Sequence, residues 1–571
     1  MREWFERIRI RMAGANAVLG LAVFGLISGL FSGALIVCFR YAAETLQHEF
    51  MPLGDIENFE GLARYLHFWL PVAGAALLGV AFQLLRQPER QVGIGHVIER
   101  LAYHEGYLPL KNFLAQFLGG IVSLVSGHSV GRESPSVHIG AAGSSFIGRR
   151  FGLPNNGVRT LVACGSAAAI AASFNTPLAG VVFAMEVILV EYTIAGFTPV
   201  ILAAVAGSAL SRLAFGDQPV LQLPQVGVTS LSELVLIVAM GLVCGAMSAL
   251  FVATVRTISR FARPRPPWAM FTLAGVVTGL VALVTPAVLG QGYDTANHAI
   301  LGDYAFWVLI TIVVCKLLAT AFCVGVGLPG GLIGPALVIG ACLGAAWESM
   351  PNIGAFIDIT PGLYGSLGAA AMIGATLHAP LAALLTLLEL TGNPQIILPG
   401  MLAIVSATIV SKELFDQDSV FTLMLRDAGV DNQANPLVQS LQRIGIAAVM
   451  NRSVVECAER LTREAALTLL ELSPQWIIAR AGDQRILLRA ADLARHLEGS
   501  EEDEVELGEI PAQRLELAPI AVQATLYEAR RRMQEGGVEA LYVRRSIART
   551  ADRIFGVVLR QDLDSYYSIS R

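Results

Sequence analysis

Gly131-Arg132-Glu133-Ser134-Pro135-Ser136-Val137-His138-Ile139-Gly140 is answered 200 positions later by Gly331-Leu332-Ile333-Gly334-Pro335-Ala336-Leu337-Val338-Ile339-Gly340. Both stretches read G-x-x-x-P-x-x-x-I-G. A second set of anchors follows in the same order: Gly165, Pro177 and Glu186 are spaced by 12 and 9, and Gly368, Pro380 and Glu389 repeat those spacings. The local texts also agree, Asn175-Thr176-Pro177-Leu178-Ala179 against His378-Ala379-Pro380-Leu381-Ala382. One Gly/Pro coincidence is weak in an apolar chain, but four ordered anchors at a nearly constant offset identify a duplication. Each G-x-x-x-P element reads as a Gly-rich loop entering a helix with proline in its first turn. Such a helix start presents unpaired N–H groups and the positive end of the helix dipole. Two of them facing each other make a site for a partly dehydrated anion, and no set of cation ligands accompanies them. Packing alone is the competing reading of one element, and repetition weakens it.

The composition places these elements in a membrane. Of 571 residues, 54% are hydrophobic and 15% charged, against about 25% charged in soluble domains. The net charge of -5 argues against a nucleic-acid partner. Charges are sparse to about Leu414 and dense from Arg426, so the chain divides into a membrane domain, 1–435, and a soluble domain, 436–571. Apolar segments recur near Phe68–Leu85, Phe113–Val125, Thr160–Leu189, Val200–Leu210, Leu231–Val255 and Met270–Leu289. Others lie near Phe306–Val324, Ala336–Ala346, Leu363–Leu390 and Ile396–Val410. Several are too short, or too broken by Gly and Pro, to cross ~30 Å of hydrocarbon as one helix. Irregular backbone at that depth survives only where protein or a water-filled cavity covers it, and paired broken segments in two halves point to a transport site between them. Arg2, Arg7, Arg9 and Arg11 precede an apolar run from Ala15 to Val37 that is too long for a signal peptide, which predicts a cytoplasmic amino terminus. The seven cysteines lie mostly in apolar stretches without a CxxC pair; neither a disulfide framework, a metal site nor a cofactor is expected.

Glu133 stands inside the first loop, beside Arg132. An intramembrane carboxylate is expensive and therefore a candidate functional group; at a helix start it can take an anion's place and be displaced when protonated. The competing reading is a static Glu133–Arg132 pair.

Gly131–Pro135 resembles the G-[KR]-E-G-P signature of the ClC family of chloride channels and proton/chloride antiporters. Gly330-Gly331-Leu332-Ile333-Gly334-Pro335 is similar to its G-G-x-F-x-P signature, and Leu328-Pro329 and Lys316 sit where relatives keep similar residues. The likeness runs from about Gly93 to Phe421. It implies an all-α polytopic membrane protein of two inverted repeats of broken, tilted helices, homodimeric, with one pathway per subunit. It implies that Glu133 is the gating and proton-accepting glutamate. The anion, chloride or a similar small ion, would be held around Gly131, Arg132, Ser134, Gly331, Leu332 and Ile333. The departures are specific. The family's G-S-G-I-P is here Gly93-Ile94-Gly95-His96-Val97, so Ile94 replaces the serine that would donate to the anion. Phe421 replaces a tyrosine, Gln116 a buried lysine, and Ser134 the signature's second glycine. With both side-chain donors gone, backbone amides are left as the main anion ligands. The internal proton glutamate of coupled members corresponds to Val187, which favours uncoupled, channel-like conduction over proton-coupled antiport. Glu186 and Glu389, at equivalent positions of the two repeats, are expected to satisfy structure.

Two other readings compete with this one. Gly127-His128-Ser129-Val130-Gly131 fits the G-x-S-x-G nucleophile elbow of serine hydrolases, with Ile121–Val125 as a strand before it; the membrane segments that follow argue against an enzyme. A secondary transporter of another repeat fold, carrying an organic anion, is separated from the ClC reading by the behaviour of Glu133.

The tail reads as two similar units. Strands are predicted at Ala447–Met450, Gln475–Ala479 and Arg485–Leu488, then a helix at Thr525–Gln534, strands at Ala540–Val543 and Ile554–Val558, and a helical start at Arg560–Leu563. An acidic loop is predicted over Glu501–Glu506. This resembles a degenerate tandem of CBS modules, small α/β regulatory units found behind many ClC membrane domains. Asp562 and Asp492 fall where a ribose-binding aspartate would, but Leu559 replaces the accompanying hydroxyl residue, which argues against nucleotide binding and for dimerisation. The resemblance also implies that both termini are cytoplasmic, in a protein of the inner or plasma membrane.

Overall fold

The computed structural model describes residues 12, 17–51, 58–217, 231–350, 361–429, 436–481, 484–500, 502–545 and 553–569. The amino-terminal arginine cluster and the expected domain boundary lie outside them. The chain forms two compact units, one of Leu21–Arg149 with Val158–Gln433, the other of Met1–Gly20, Arg150–Gly157 and Ala434–Arg571.

The larger unit is helical. Its elements are α1 (Val18–Phe50), α2 (Arg64–Leu84), α3 (Gly93–Tyr103), α4 (Leu110–Val125), α5 (Glu133–Arg150), α6 (Asn155–Phe174), α7 (Pro177–Phe183), α8 (Ile194–Phe215) and α9 (Leu231–Ala262). There follow α10 (Pro267–Ala282), α11 (Tyr293–Leu301), α12 (Phe306–Gly325), α13 (Ile333–Glu348), α14 (Leu363–Leu377), α15 (Pro380–Thr391), α16 (Ile397–Ile409) and α17 (Val420–Asp427). Among the described residues, seven helices are long and apolar enough to cross a membrane. The helices that carry the signatures are not among them. At 16 residues and 1.5 Å per residue, α13 falls short of the ~30 Å core. It is nevertheless buried from Ile333 through Ala346, so protein rather than lipid surrounds it.

The duplication is written into the backbone. In both repeats a helix ends, a glycine turns the chain with positive φ (Gly127, +71°; Gly327, +87°) and a new helix begins. His128 N–H donates to Ser123 O at 3.2 Å and Leu328 N–H to Cys323 O at 3.1 Å; Val130 N–H reaches His128 O at 2.8 Å and Gly330 N–H reaches Leu328 O at 2.7 Å. Each bond recurs at an offset of 200. The apolar stretches expected over Thr160–Leu189 and Leu363–Leu390 are each two helices, broken where Asn175 and His378 adopt left-handed backbone (φ +61° and +53°) just ahead of Pro177 and Pro380. An Asn or His tolerates that region better than a branched residue does.

The short helices after those breaks, α7 and α15, pack against each other and exchange caps. Glu389 accepts from Leu178 N–H at 2.9 Å and Ala179 N–H at 2.8 Å. Glu186 accepts from Leu381 N–H at 3.3 Å and Ala382 N–H at 2.8 Å. Each carboxylate thus satisfies donors at the start of the other repeat's helix, where the dipole also favours negative charge.

In the smaller unit, strands β1 (Val454–Ala458), β3 (Trp476–Ala481), β4 (Gln484–Arg489), β6 (Leu515–Ala521), β7 (Ala540–Arg545) and β8 (Arg553–Leu559) form one sheet in the order 1-3-4-6-7-8. Within each half a parallel pair (β1–β3, β6–β7) is followed by an antiparallel one (β3–β4, β7–β8), and β4–β6 joins the halves. Helices α19 (Arg463–Glu471), α20 (Ala490–Gly499), α21 (Leu526–Gly536) and α22 (Arg560–Ile569) complete a β-α-β-β-α plan in each half, and α18 (Pro436–Gln442) precedes them. Two expectations are corrected. Ile446–Ala448 is a 3-10 turn and the strand starts at Val454; Ile446 and Ala447 are buried, so an apolar run that propensity assigns to a strand is used as a core plug. Glu504–Glu506 is a strand, β5, paired antiparallel with β2 (Arg460–Thr462), because Arg460 meets Glu506 at 3.1 Å and Val505 is buried.

Glu389→Ala is expected to cost about 1 kcal/mol by removing the cap on two helix-start donors. A fall in Tm with anion flux per folded molecule retained is the expected result. Flux abolished at unchanged Tm would place Glu389 in the pathway instead.

Candidate functional site

The two signature loops touch. Gly131 N–H donates to Gly331 O at 2.8 Å and Gly331 N–H to Gly131 O at 2.7 Å, an isolated antiparallel bridge. The two copies therefore meet with opposed chain direction, each loop leading into a helix start. The close approach requires glycine: a methyl group on Gly331 would lie 3.0 Å from Gly131 O, and one on Gly330 would run into Val130.

Beside this bridge lies the carboxylate of Glu133, which is fully buried. It does not fold back on Arg132. Gly334 N–H, in the first turn of α13, donates to Oε2 at 3.3 Å, and the Tyr293 hydroxyl donates to Oε1. The carboxylate, an anion on a short tether, sits where a helix start of the other repeat offers its N–H groups. Arg132 is turned elsewhere. Its guanidinium donates to Ser173 O at 2.9 Å and approaches Glu44 at 3.7 Å, so the static Glu133–Arg132 pair is not the arrangement found.

The other expected residues take distinct places. The N–H groups of Gly131 and Gly331 are spent on each other. Gly334, not singled out from sequence, supplies a backbone amide to the carboxylate. Leu332 and Ile333 are buried at the start of α13. Ser134 Oγ accepts from Ile94 N–H at 3.2 Å, which ties the first turn of α3 to that of α5. Ile94 and Phe421 are buried in the first turns of α3 and α17, which pack against each other. Val187 is buried in a π-helical turn, Ala184–Leu189, that packs against α3; such turns often mark functional segments. His96 Nδ1 and His138 Nε2 lie 2.9 Å apart between α3 and α5.

The group that sequence reasoning missed is Tyr293. It lies 160 residues from Glu133, beyond the reach of any local motif. The available signal was Gly292, whose left-handed backbone (φ +83°) precedes a helix start as Gly93 (φ +80°) does near Ile94.

The G-x-S-x-G match has a structural explanation. Ile121–Val125 is the end of α4, a helix and not a strand. Ser129 is fully buried with its hydroxyl 2.9 Å from that of Thr320, while His128 Nδ1 is 2.8 Å from Ser126 Oγ.

Residues 73–412 match the family model described as voltage gated chloride channel. A chloride channel protein described as ClcB-like from Ralstonia nicotianae is 31% identical over 402 residues, 68% of this chain and 93% of the relative. The crystal structure of a slow cyanobacterial Cl-/H+ antiporter has a TM-score of 0.64 at 23% identity, covering 72% of this chain and 99% of that one. A eukaryotic CLC transporter structure has a TM-score of 0.59 at 19% identity and covers 95% of this chain and 97% of its own. By the family model over residues 73–412 and the 31% identical relative, the chain belongs to the voltage gated chloride channel, or ClC, family.

Proposed function

We propose that the protein carries chloride or similar small anions across a membrane through a pathway gated by Glu133. The observation that carries this reading is the seating of the Glu133 carboxylate at the start of α13, in contact with Gly334 N–H and the Tyr293 hydroxyl. A charge held there blocks an anion; protonation removes the charge, weakens the hold and frees the place. Backbone amides around Leu332, Ile333 and Gly334 then face the anion. A helix start stabilises a negative ion without a fixed positive charge, so binding stays weak enough for the ion to leave.

Uncoupled conduction is the favoured form, because Val187 offers no carboxylate on the internal side. Proton-coupled antiport is the second reading, supported by a different observation: the buried His96 and His138 rings, 2.9 Å apart between α3 and α5, place an imidazole on the helix that begins with Glu133. An enzyme reading receives no support from Ser129, whose hydroxyl meets Thr320 rather than a histidine.

The tail acts as a CBS-like tandem that dimerises and regulates, and both termini face the cytoplasm in a homodimer. Its two β-α-β-β-α halves support the CBS-like reading of the tail. Nucleotide binding is not part of the proposal, since Asp562 accepts from Leu559 N–H at 2.9 Å, capping its own helix, and Leu559 carries no hydroxyl.

Proteoliposomes loaded with chloride and followed with chloride and pH electrodes together test the reading. Efflux without uphill proton movement is expected, and driven proton movement would favour the coupled form. Glu133→Gln is expected to abolish the pH dependence of flux; an ordinary profile in that variant would sink the gate. Gly334→Ala gives a geometric check. Its methyl group would lie 2.9 Å from Tyr293 Oη and 3.0 Å from Glu133 Oε1. The seat should be lost, with flux at alkaline pH changed by roughly tenfold, about the worth of one charge-assisted hydrogen bond. A wild-type profile would mean that the carboxylate does not gate from this place.

A further inference from the structure

Ile94 and Phe421 carry no hydroxyl, which leaves the pathway without the side-chain donors expected of it. The structure holds a hydroxyl at the site all the same, on the other repeat. Tyr293 begins α11 directly after Gly292 (φ +83°), and Ile94 lies in the first turn of α3 directly after Gly93 (φ +80°). The offset is 199, one less than that of the signature loops. Tyr293 is thus the repeat counterpart of Ile94.

Its hydroxyl is placed by several independent contacts. It donates to Glu133 Oε1 and lies 2.9 Å from where a methyl group on Gly334 would be, so the bare Cα of that glycine makes room for it. The ring packs edge-on to Phe174 at 6.1 Å and lies 5.7 Å from the Arg132 guanidinium carbon. The turn before it is pinned by the fully buried Lys316, whose ammonium donates to Val288 O and Gly290 O at 3.0 Å each. A residue at 292 with a side chain would meet that ammonium at 2.9 Å. Tyr293 is itself 6% exposed.

We propose that Tyr293 is the side-chain anion ligand of this pathway. Its phenol donates to the Glu133 carboxylate while that group is seated, and to a small monovalent anion at the same place once the carboxylate has left. The donor lost at Ile94 in the first repeat is supplied from the equivalent position of the second. A phenol O–H is a donor that a halide or nitrate accepts as readily as a carboxylate oxygen does, whereas a cation finds no ligand in it in this orientation. The inference rests on the anion-pathway reading above.

The test uses purified full-length protein and chloride itself. Glu133→Ala empties the place, and chloride binding is measured by titration calorimetry with and without Tyr293→Phe, which keeps the ring packing and removes only the donor. Chloride affinity about tenfold lower in the double variant is the expected result, the loss of one hydrogen bond to a charged partner. 4-Aminophenylalanine at 293, which restores a donor at the ring's para position, should recover most of it. Equal chloride affinity in the single and double variants overturns the assignment of Tyr293 and leaves the pathway reading intact. Absence of chloride, bromide and nitrate binding in Glu133→Ala, with the protein monodisperse, overturns the anion site and the assignment together. Should the double variant prove unstable, the 4-aminophenylalanine protein decides alone, and affinity far below that of Glu133→Ala counts against the proposal.

Discussion

Two hydrogen bonds between Gly131 and Gly331 hold the site together. They join loops 200 residues apart and bring two helix starts face to face where side chains would otherwise keep them separate. Everything chemically useful in the larger unit depends on this approach: the carboxylate of one repeat reaches the first turn of the other's helix only because no Cβ stands between them. The reciprocal caps at Glu186 and Glu389 do the same for α7 and α15. A duplicated chain has become one structure by having each half complete the other's unsatisfied helix ends.

The electrostatics follow from that geometry. A buried carboxylate is costly unless paired or hydrogen-bonded, and Glu133 is not paired with the adjacent Arg132, whose charge is directed at Glu44 and the Ser173 carbonyl. The hydrogen bonds it receives come from donors without full charge, a backbone amide and a phenol, beside the dipole of α13. Donors of this kind hold an anion without the full charge that would trap it. A lysine or arginine in the same place would bind more tightly and conduct less.

Much of this was legible in the sequence. The G-x-x-x-P pair and the Gly-Pro-Glu spacings exposed the duplication because helix starts and close backbone approaches restrict residue choice, and Glu133 stood out because carboxylates are rare at membrane depth. The structural role expected of Glu186 and Glu389 is the one their bonds display. What escaped was tertiary. Tyr293 joins the site through a turn with no signature beyond one glycine, and nothing in the local text around Ile94 points to a residue 199 positions further on. In the tail, Ile446–Ala448 became a 3-10 plug and Glu504–Glu506 a strand, since burial and a cross-strand Arg460–Glu506 pair outweighed local propensity.

Anomalous diffraction from crystals of the Glu133→Ala protein soaked in bromide addresses the central claim most directly. The account predicts a bromide peak at the place vacated by the carboxylate, within hydrogen-bond reach of Gly334 N–H and the Tyr293 hydroxyl. An empty site in well-ordered crystals, or a peak only at places remote from the α13 start, would contradict it.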